Sequence, residues 1–246
     1  MAVRTYSEAS FSAGHLILPD LAGFRYVGLY GTDEATTIAN HADPSSPATV
    51  NGPAPTFGSG FFSSTSNDAS NLETSLITPY SAEPGEDLFI VMVSQQKNTG
   101  GFVTTTGTNE DGDLIDETGI YGNATGPIFR NSLLSFVGQA EGVWPSSSTT
   151  DYFVTFAWGQ DRGHGYVQCG SAGDLQQVYS GTRNLSNFRK RAPGALLELN
   201  ADAEGNTTLR YHAVAAADRI PGEEERLEIY RRIRARANAI GDVVVD

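Results

Sequence analysis

Only one stretch of this chain spaces its apolar residues as a helix does. Leu227, Tyr230, Ile233, Ala237 and Ile240 recur at intervals of 3, 3, 4 and 3 residues, which lines them up along one helical face. Glu223, Glu224 and Glu225 open the segment, and Arg231, Arg232, Arg234 and Arg236 follow. Anions first and cations last is the order that a helix dipole favours. Glu228 stands i,i+4 from Arg232, and Gly241 offers a stop. The spacing predicts a closing amphipathic helix over 223–240.

Everything before that helix reads as short strands separated by turn chemistry. Leu88–Ser94 (LFIVMVS) is apolar on both faces and suits the middle of a two-sheet stack. Shorter strands are expected near His15–Leu18, at Gly23–Leu29, Phe57–Ser63 and Gly101–Thr106, and twice within Ile128–Gly138. Further strands are expected at Asp151–Trp158, Gly165–Cys169, Leu175–Tyr179, Leu196–Leu199 and Thr208–Ala216. Residues 32–60, with their proline clusters, and the acidic, Gly-rich stretch 107–127 read as loops. Strands without intervening helical patterns exclude a βαβ architecture.

Charge and composition remove several function classes. The net charge is -13, which argues against the basic footprint that nucleic-acid binding needs. That charge is unevenly placed. Residues 219–246 carry six Arg and six acidic residues, whereas residues 1–218 carry ten basic and 23 acidic ones. No apolar run reaches the length of a membrane span. Cys169 is the only cysteine, so no internal disulfide forms. The first 21 residues show no charged leader followed by an apolar core, and the expectation is synthesis and folding in a cytoplasm.

The segments LFIVMVS, GGFVTTTG, DYFVTFAWGQD and GYVQCGS, taken in order, resemble the concanavalin A-like lectin/glucanase superfamily, especially its laminin G-like branch. The ending TLRYHAVAAADRIPGEEERLEIYRRIRA is similar to the closing strand and helix of that branch. Asp218-Arg219-Ile220 comes ahead of the acidic helix start. The resemblance covers roughly residues 50–240. It implies an all-β chain: a two-sheet antiparallel jelly-roll sandwich with a C-terminal amphipathic α-helix. Residues 1–50 would then be a lead-in segment and loop of the same unit, and residues 51–246 the jelly roll. The fold does not imply one activity.

Glycosidases of this superfamily commonly set carboxylates on alternate residues of one strand, so that both face the same side. The chain contains no E-x-D-x-x-E pattern, and Glu198 lacks an acidic partner at i+2. The expectation is a protein that is not an enzyme. Asn109, Asp111 and Asp113 place hard oxygens at alternate positions and form a candidate calcium loop, with no cofactor otherwise required. The four histidines are dispersed and give no zinc spacing. Sugar binding needs aromatic faces with polar groups beside them, and Tyr121, Trp144 and Trp158 are the candidates. Arg231, Arg232, Arg234 and Arg236 are candidates for contact with an acidic neighbouring subunit.

Laminin G-like modules recur in tailed-bacteriophage virion proteins, which are made in a host cytoplasm without a signal peptide. The resemblance therefore implies a virion structural or tail-associated protein, joined to other virion subunits as a homo-oligomer and binding a host surface glycan. A lectin domain outside a virion, or a glycoside hydrolase, are the alternatives.

Overall fold

The computed structural model describes residues 23–31, 33–58, 60–67, 72–81, 88–96, 100–108, 114–122, 127–131, 135–139, 151–159, 164–170, 176–182, 196–199 and 207–240. The chain begins with strand β1 (Phe24–Leu29), helix α1 (Glu34–Ile38) and the short strands β2 (Thr49–Asn51) and β3 (Thr56–Gly58). Then come β4 (Phe61–Asn67), β5 (Leu72–Glu73), β6 (Ser75–Ser81), β7 (Leu88–Gln96), β8 (Gly100–Thr108) and β9 (Leu114–Gly122). β10 (Pro127–Asn131), β11 (Ser135–Gln139), β12 (Asp151–Gly159), β13 (His164–Gly170) and β14 (Gln176–Thr182) follow. β15 (Leu196–Leu199), β16 (Thr207–Ala217) and helix α2 (Glu223–Ile240) complete the described elements.

The strands form two antiparallel sheets, so the chain is an all-β jelly-roll sandwich closed by a C-terminal helix. One sheet has nine strands in the order β14-β13-β12-β7-β16-β4-β3, with β1 beside β16 and β5 beside β4. The other has seven, in the order β11-β10-β9-β8-β15-β6-β2. The helix occupies 223–240, as its spacing predicts. Two loop expectations are corrected. Residues 32–60 contain α1, β2 and β3, and residues 107–127 contain all of β9. Both β2 and β3 are three-residue edge strands around Pro53 and Pro55, so the prolines kept strands off the sheet interior but not off its margins. In β9 the pairing of all residues but Glu117, which sits at a register shift, with β8 or β10 supplies what its Gly and acidic residues do not favour locally. The strand expected near His15–Leu18 and the stop at Gly241 lie outside the described residues.

Strand β16 organises the nine-stranded sheet. One edge pairs with β7 along its length, and the other pairs first with β4 and then with β1. The change of neighbour comes at His212, where the register against β7 slips between Tyr211 and Ala213. There the His212 carbonyl accepts from the Tyr30 amide at 3.2 Å, and its Nδ1 lies 3.2 Å from the Gly60 carbonyl. Gly60, with φ of 76°, takes the left-handed turn that sends the chain from β3 into β4. The remaining edge of β1 is closed by the buried Asn40. Its Oδ1 accepts from the amides of Val27 (3.1 Å) and Ala42 (3.0 Å), and its Nδ2 donates to the Arg25 carbonyl (3.1 Å).

Alternation assigns each face of this sheet a different cover. Tyr26, Gly28 and Tyr30 share the inner face with Val214 and Ala216. The Tyr30 ring meets Phe62 edge-on at 4.6 Å, and Phe62 stacks on its cross-strand partner Tyr211 at 4.9 Å. The second sheet lies against this face: Tyr80 of β6 reaches the Ala217 carbonyl, and Ser64 Oγ donates to the Thr74 carbonyl. Ala213, Ala215 and Ala217 sit on the outer face, and all are buried. Helix α2 packs on β7 and β16 there, and the methyl side chains let it come close. Its Ile229 is 1% exposed, although the stripe read from the sequence omits it. Arg219 lies over the Phe24 ring and holds Glu225 with two hydrogen bonds of 2.5 and 2.8 Å, which ties the first turn of α2 to the sheet. Strand β7 is apolar on both sides because one face meets the second sheet and the other lies under the helix. No helix among the described residues is long and apolar enough to cross a membrane.

Candidate functional site

The seven-stranded sheet has a second face that points away from the core. Strand β15 shows it most directly. Leu197 and Leu199 are 0% exposed, so Glu198 between them and Leu196 before them (36% exposed) face outward. On β6 the same alternation buries Leu76, Thr78 and Tyr80 inward and turns Ser75 and Ile77 outward. Thr49 and Asn51 of the edge strand β2 pair with Ile77 and Ser75 and are exposed.

A polar chain is built on this face. Asn51 Nδ2 lies 3.4 Å from Ser75 Oγ, and Ser75 Oγ in turn donates to Glu198 Oε1. Ser75 is buried beneath its two partners. A fixed donor on Oε1 holds the half-buried carboxylate in one orientation on the open face. An ionised carboxylate carries only acceptors, so a ligand meets it with hydroxyl or ammonium donors.

Register extends the face across the sheet. Thr49, Ile77, Glu198, Thr104, Gly119 and Arg130 occupy one cross-strand row. Strands lie about 4.8 Å apart, so the Glu198 and Arg130 positions are about 14 Å apart along the row. Gly119 leaves a position without a side chain between Thr104 and Arg130. Two residues along β9, Tyr121 lies on the same face, opposite Gly101 of β8 and Ile128 of β10.

The residues singled out from the sequence are dispersed. Tyr121 is in β9 rather than in a loop, on the outward face just described. Trp158 is in β12 of the other sheet, opposite Leu88 and Gly165, and register puts it on the core side with Phe156 and Ile90. The two aromatics therefore share neither a sheet nor a site. Trp144, Asn109, Asp111 and Asp113 lie outside the described residues. Among the described residues, no group of three His, Cys, Asp or Glu side chains converges as a metal set. Arg231 is exposed on α2, and Arg232 donates to Glu228 at 2.7 Å, one turn earlier on the helix. Arg234 and Arg236 lie further along α2, where the helix backbone alone is described.

The sequence reading missed Asn51, Ser75 and Glu198 as a set. The available signal was a lone carboxylate between buried leucines in LLEL. Its partners arrive from β6 and β2, more than 100 residues earlier, and no local pattern announces them.

No family model matches the sequence, and no curated protein matches it. Solved structures share its fold. The binding domain of botulinum neurotoxin serotype D/C superposes with a TM-score of 0.63 at 7% identity, covering 87% of this chain and 53% of that one. Botulinum neurotoxin type C, which depends on interaction with two ganglioside molecules to enter cells, gives 0.61 at 8% identity, covering 87% and 52%. A mutant Trypanosoma rangeli sialidase that displays trans-sialidase activity gives 0.56 at 11% identity, covering 87% and 34%. The chain spans about half the length of the neurotoxin chains it matches. At such identities the likeness is one of fold.

Proposed function

We propose that this chain is a carbohydrate-recognition module without catalytic activity, a concanavalin A-like jelly roll of the laminin G-like kind. In this reading it presents the outward face of the seven-stranded sheet to a glycan. The observation that carries the reading is the oriented carboxylate: Asn51 and Ser75 set Glu198 on an open face that also holds Thr49 and the Tyr121 position. Recognition sites of this kind combine an aromatic or apolar surface with a few fixed polar groups. The sandwich neighbours include domains described as binding domains, one of them in complex with SialylT, and this agrees with the reading.

The positions around Glu198 support binding over hydrolysis. Its cross-strand neighbours are Ile77 and Thr104, and its outward neighbour on β15 is Leu196. Among the described residues, the next acidic positions across the sheet, Asp116 opposite Thr106 and Glu117 beside it, are two strands over and about two residues along. Strand geometry puts these backbone positions about 12 Å from that of Glu198. The cross-strand positions directly beside Glu198 therefore supply no second carboxylate of the kind that glycosidases set close to the first.

The setting we infer is a virion of a tailed phage, with the module joined to other virion subunits as a homo-oligomer and with Arg231, Arg232, Arg234 and Arg236 at the subunit contact. The support is the resemblance of the strand and helix segments to modules found there. Immunogold labelling of particles from the source tests it: label on the particle is expected, and label absent from purified particles contradicts it.

Glycan-array binding by the purified chain tests the recognition itself. Binding that Glu198→Gln weakens at least tenfold, without release of reducing ends, is expected. Binding unaffected by that change would overturn the assignment of the face. The reading requires no cofactor, so binding should survive EDTA. Loss in EDTA would instead give calcium at Asn109, Asp111 and Asp113 a role.

A further inference from the structure

We propose that the Asn51-Gly52 junction is a self-modification site: Asn51 loses its side-chain amide to become aspartate or isoaspartate, which unfastens the polar chain on the outward face of the seven-stranded sheet. Asn-Gly occurs once in the chain. Asparagine is among the thermolabile residues, and a following glycine leaves the next amide nitrogen unobstructed. In the reaction the Gly52 nitrogen bonds to Asn51 Cγ. The Cγ–Nδ2 bond breaks, and ammonia leaves with the Gly52 amide proton. Water then opens the resulting succinimide at one of its two carbonyls. Opening at the side-chain carbonyl gives aspartate. Opening at the main-chain carbonyl gives isoaspartate, whose backbone is one carbon longer.

The structure leaves this junction open. Asn51 is the last paired residue of the three-residue edge strand β2, and Gly52, with φ of 81°, turns the chain out of the sheet. Residues 51–54 are exposed. Turning the Gly52 nitrogen towards Cγ therefore disturbs one terminal pair, and opening of that kind at a short edge costs little. Asn40 is the opposite case. It is 1% exposed, its Oδ1 accepts from two amides and its Nδ2 donates to the Arg25 carbonyl. The Asn51 side chain instead makes a long contact, 3.4 Å from Nδ2 to Ser75 Oγ.

That contact is what the product loses. Ser75 Oγ gives its one hydrogen to Glu198 Oε1, so it meets Asn51 as an acceptor. An ionised carboxylate at position 51 has no donor to offer. Either the contact is lost, or Ser75 turns its hydrogen from Glu198 to position 51. In both cases the chain from β2 to β15 is broken.

The test is peptide mapping by mass spectrometry after incubation at mildly alkaline pH, on the folded chain and on the chain in urea. Asn51 should convert in the folded protein within tenfold of its rate in urea, with isoaspartate among the products, whereas folding should protect Asn40 far more. Gly52→Ala should slow the conversion at least tenfold. If that variant folds poorly, Asn51→Gln should give a stable chain that gains no charge on ageing. The aged form, separated by its added negative charge, should show shifted Ser75 and Ile77 amides by NMR. Protection of Asn51 by folding as strong as that of Asn40, or unshifted β6 amides in the aged form, would overturn the inference. Aged protein should also bind glycan more weakly, a consequence that rests on the recognition role proposed above. Unchanged binding, with the conversion and the shifts observed, would count against that role and leave the modification standing.

Discussion

Replacing Gly28 with alanine strikes the inner aromatic cluster at its narrowest point. A Cβ at this position would stand 2.5 Å from Tyr26 Oη, 2.7 Å from Tyr30 Oη and 2.8 Å from Tyr30 Cε1. Both tyrosines are fully buried, and their hydroxyls lie 3.4 Å apart over the glycine. Two effects oppose each other. Glycine-to-alanine substitution restricts the unfolded chain and stabilises by about 0.4–1 kcal/mol where the conformation permits. Overpacking a tight core costs about 1–3 kcal/mol, and separating the two hydroxyls forfeits a hydrogen bond worth about 0.5–1.5 kcal/mol. The clash wins, and Gly28→Ala should destabilise by about 2–3 kcal/mol. At about 2–4 °C per kcal/mol for a chain of this size, Tm should fall by about 4–12 °C in calorimetry. Tyr30→Phe removes one of the crowding oxygens, so the double variant should be less destabilised than the sum by at least about 0.5 kcal/mol. An unchanged or raised Tm for Gly28→Ala would leave only the unfolded-state effect and refute the packing argument.

Three further outcomes follow from named groups. Burial holds the Tyr26 phenol well above the usual tyrosine range. A raised folded pKa favours the protonated native state, so this contribution is fully present below about pH 10 and is lost as pH rises beyond it; Tyr26→Phe should flatten the alkaline limb of a stability-against-pH curve. Hydrogen bonds from the Thr36 amide and hydroxyl hold the Asp33 carboxyl below the ordinary range. The sign is opposite here. The α1 cap is intact above the ordinary Asp value and is lost as pH falls through the depressed one, so NMR should show the Thr36 amide shifting below about pH 4 and unaffected in Asp33→Asn. Ile229→Ala should destabilise by about 2–4 kcal/mol, read from the urea midpoint, because Ile229 is a buried contact between α2 and the sheet; a change under 1 kcal/mol would mean that the helix is not seated there.

The sheets were legible where side-chain period and burial agree. LFIVMVS announces a strand covered on both faces, but not that the second cover is the terminal helix rather than a third sheet. GFRYVGL reads as a short strand in the sequence, yet the reason for Gly28 appears only when Tyr26 and Tyr30 close over it. The closing helix was legible in its charges and spacing, whereas its buried face was not: Ile229 is buried on a helix that packs against β7 and β16, a surface the helix sequence does not encode. Strand β9 was hidden because Asp116, Glu117, Gly119 and Gly122 look like turn residues until β8 and β10 pair with the strand around them. The candidate site was hidden more deeply. Glu198 is joined to Ser75 across 123 positions of sequence, and only sheet order brings the two together.

Amide chemical-shift mapping during titration with the best-binding oligosaccharide tests the recognition face most directly. The account predicts that the perturbed residues follow β2, β6, β15 and β8, strongest around Asn51, Ser75 and Glu198. Saturable binding whose shifts fall elsewhere, on the α2 side of the nine-stranded sheet for example, would contradict it.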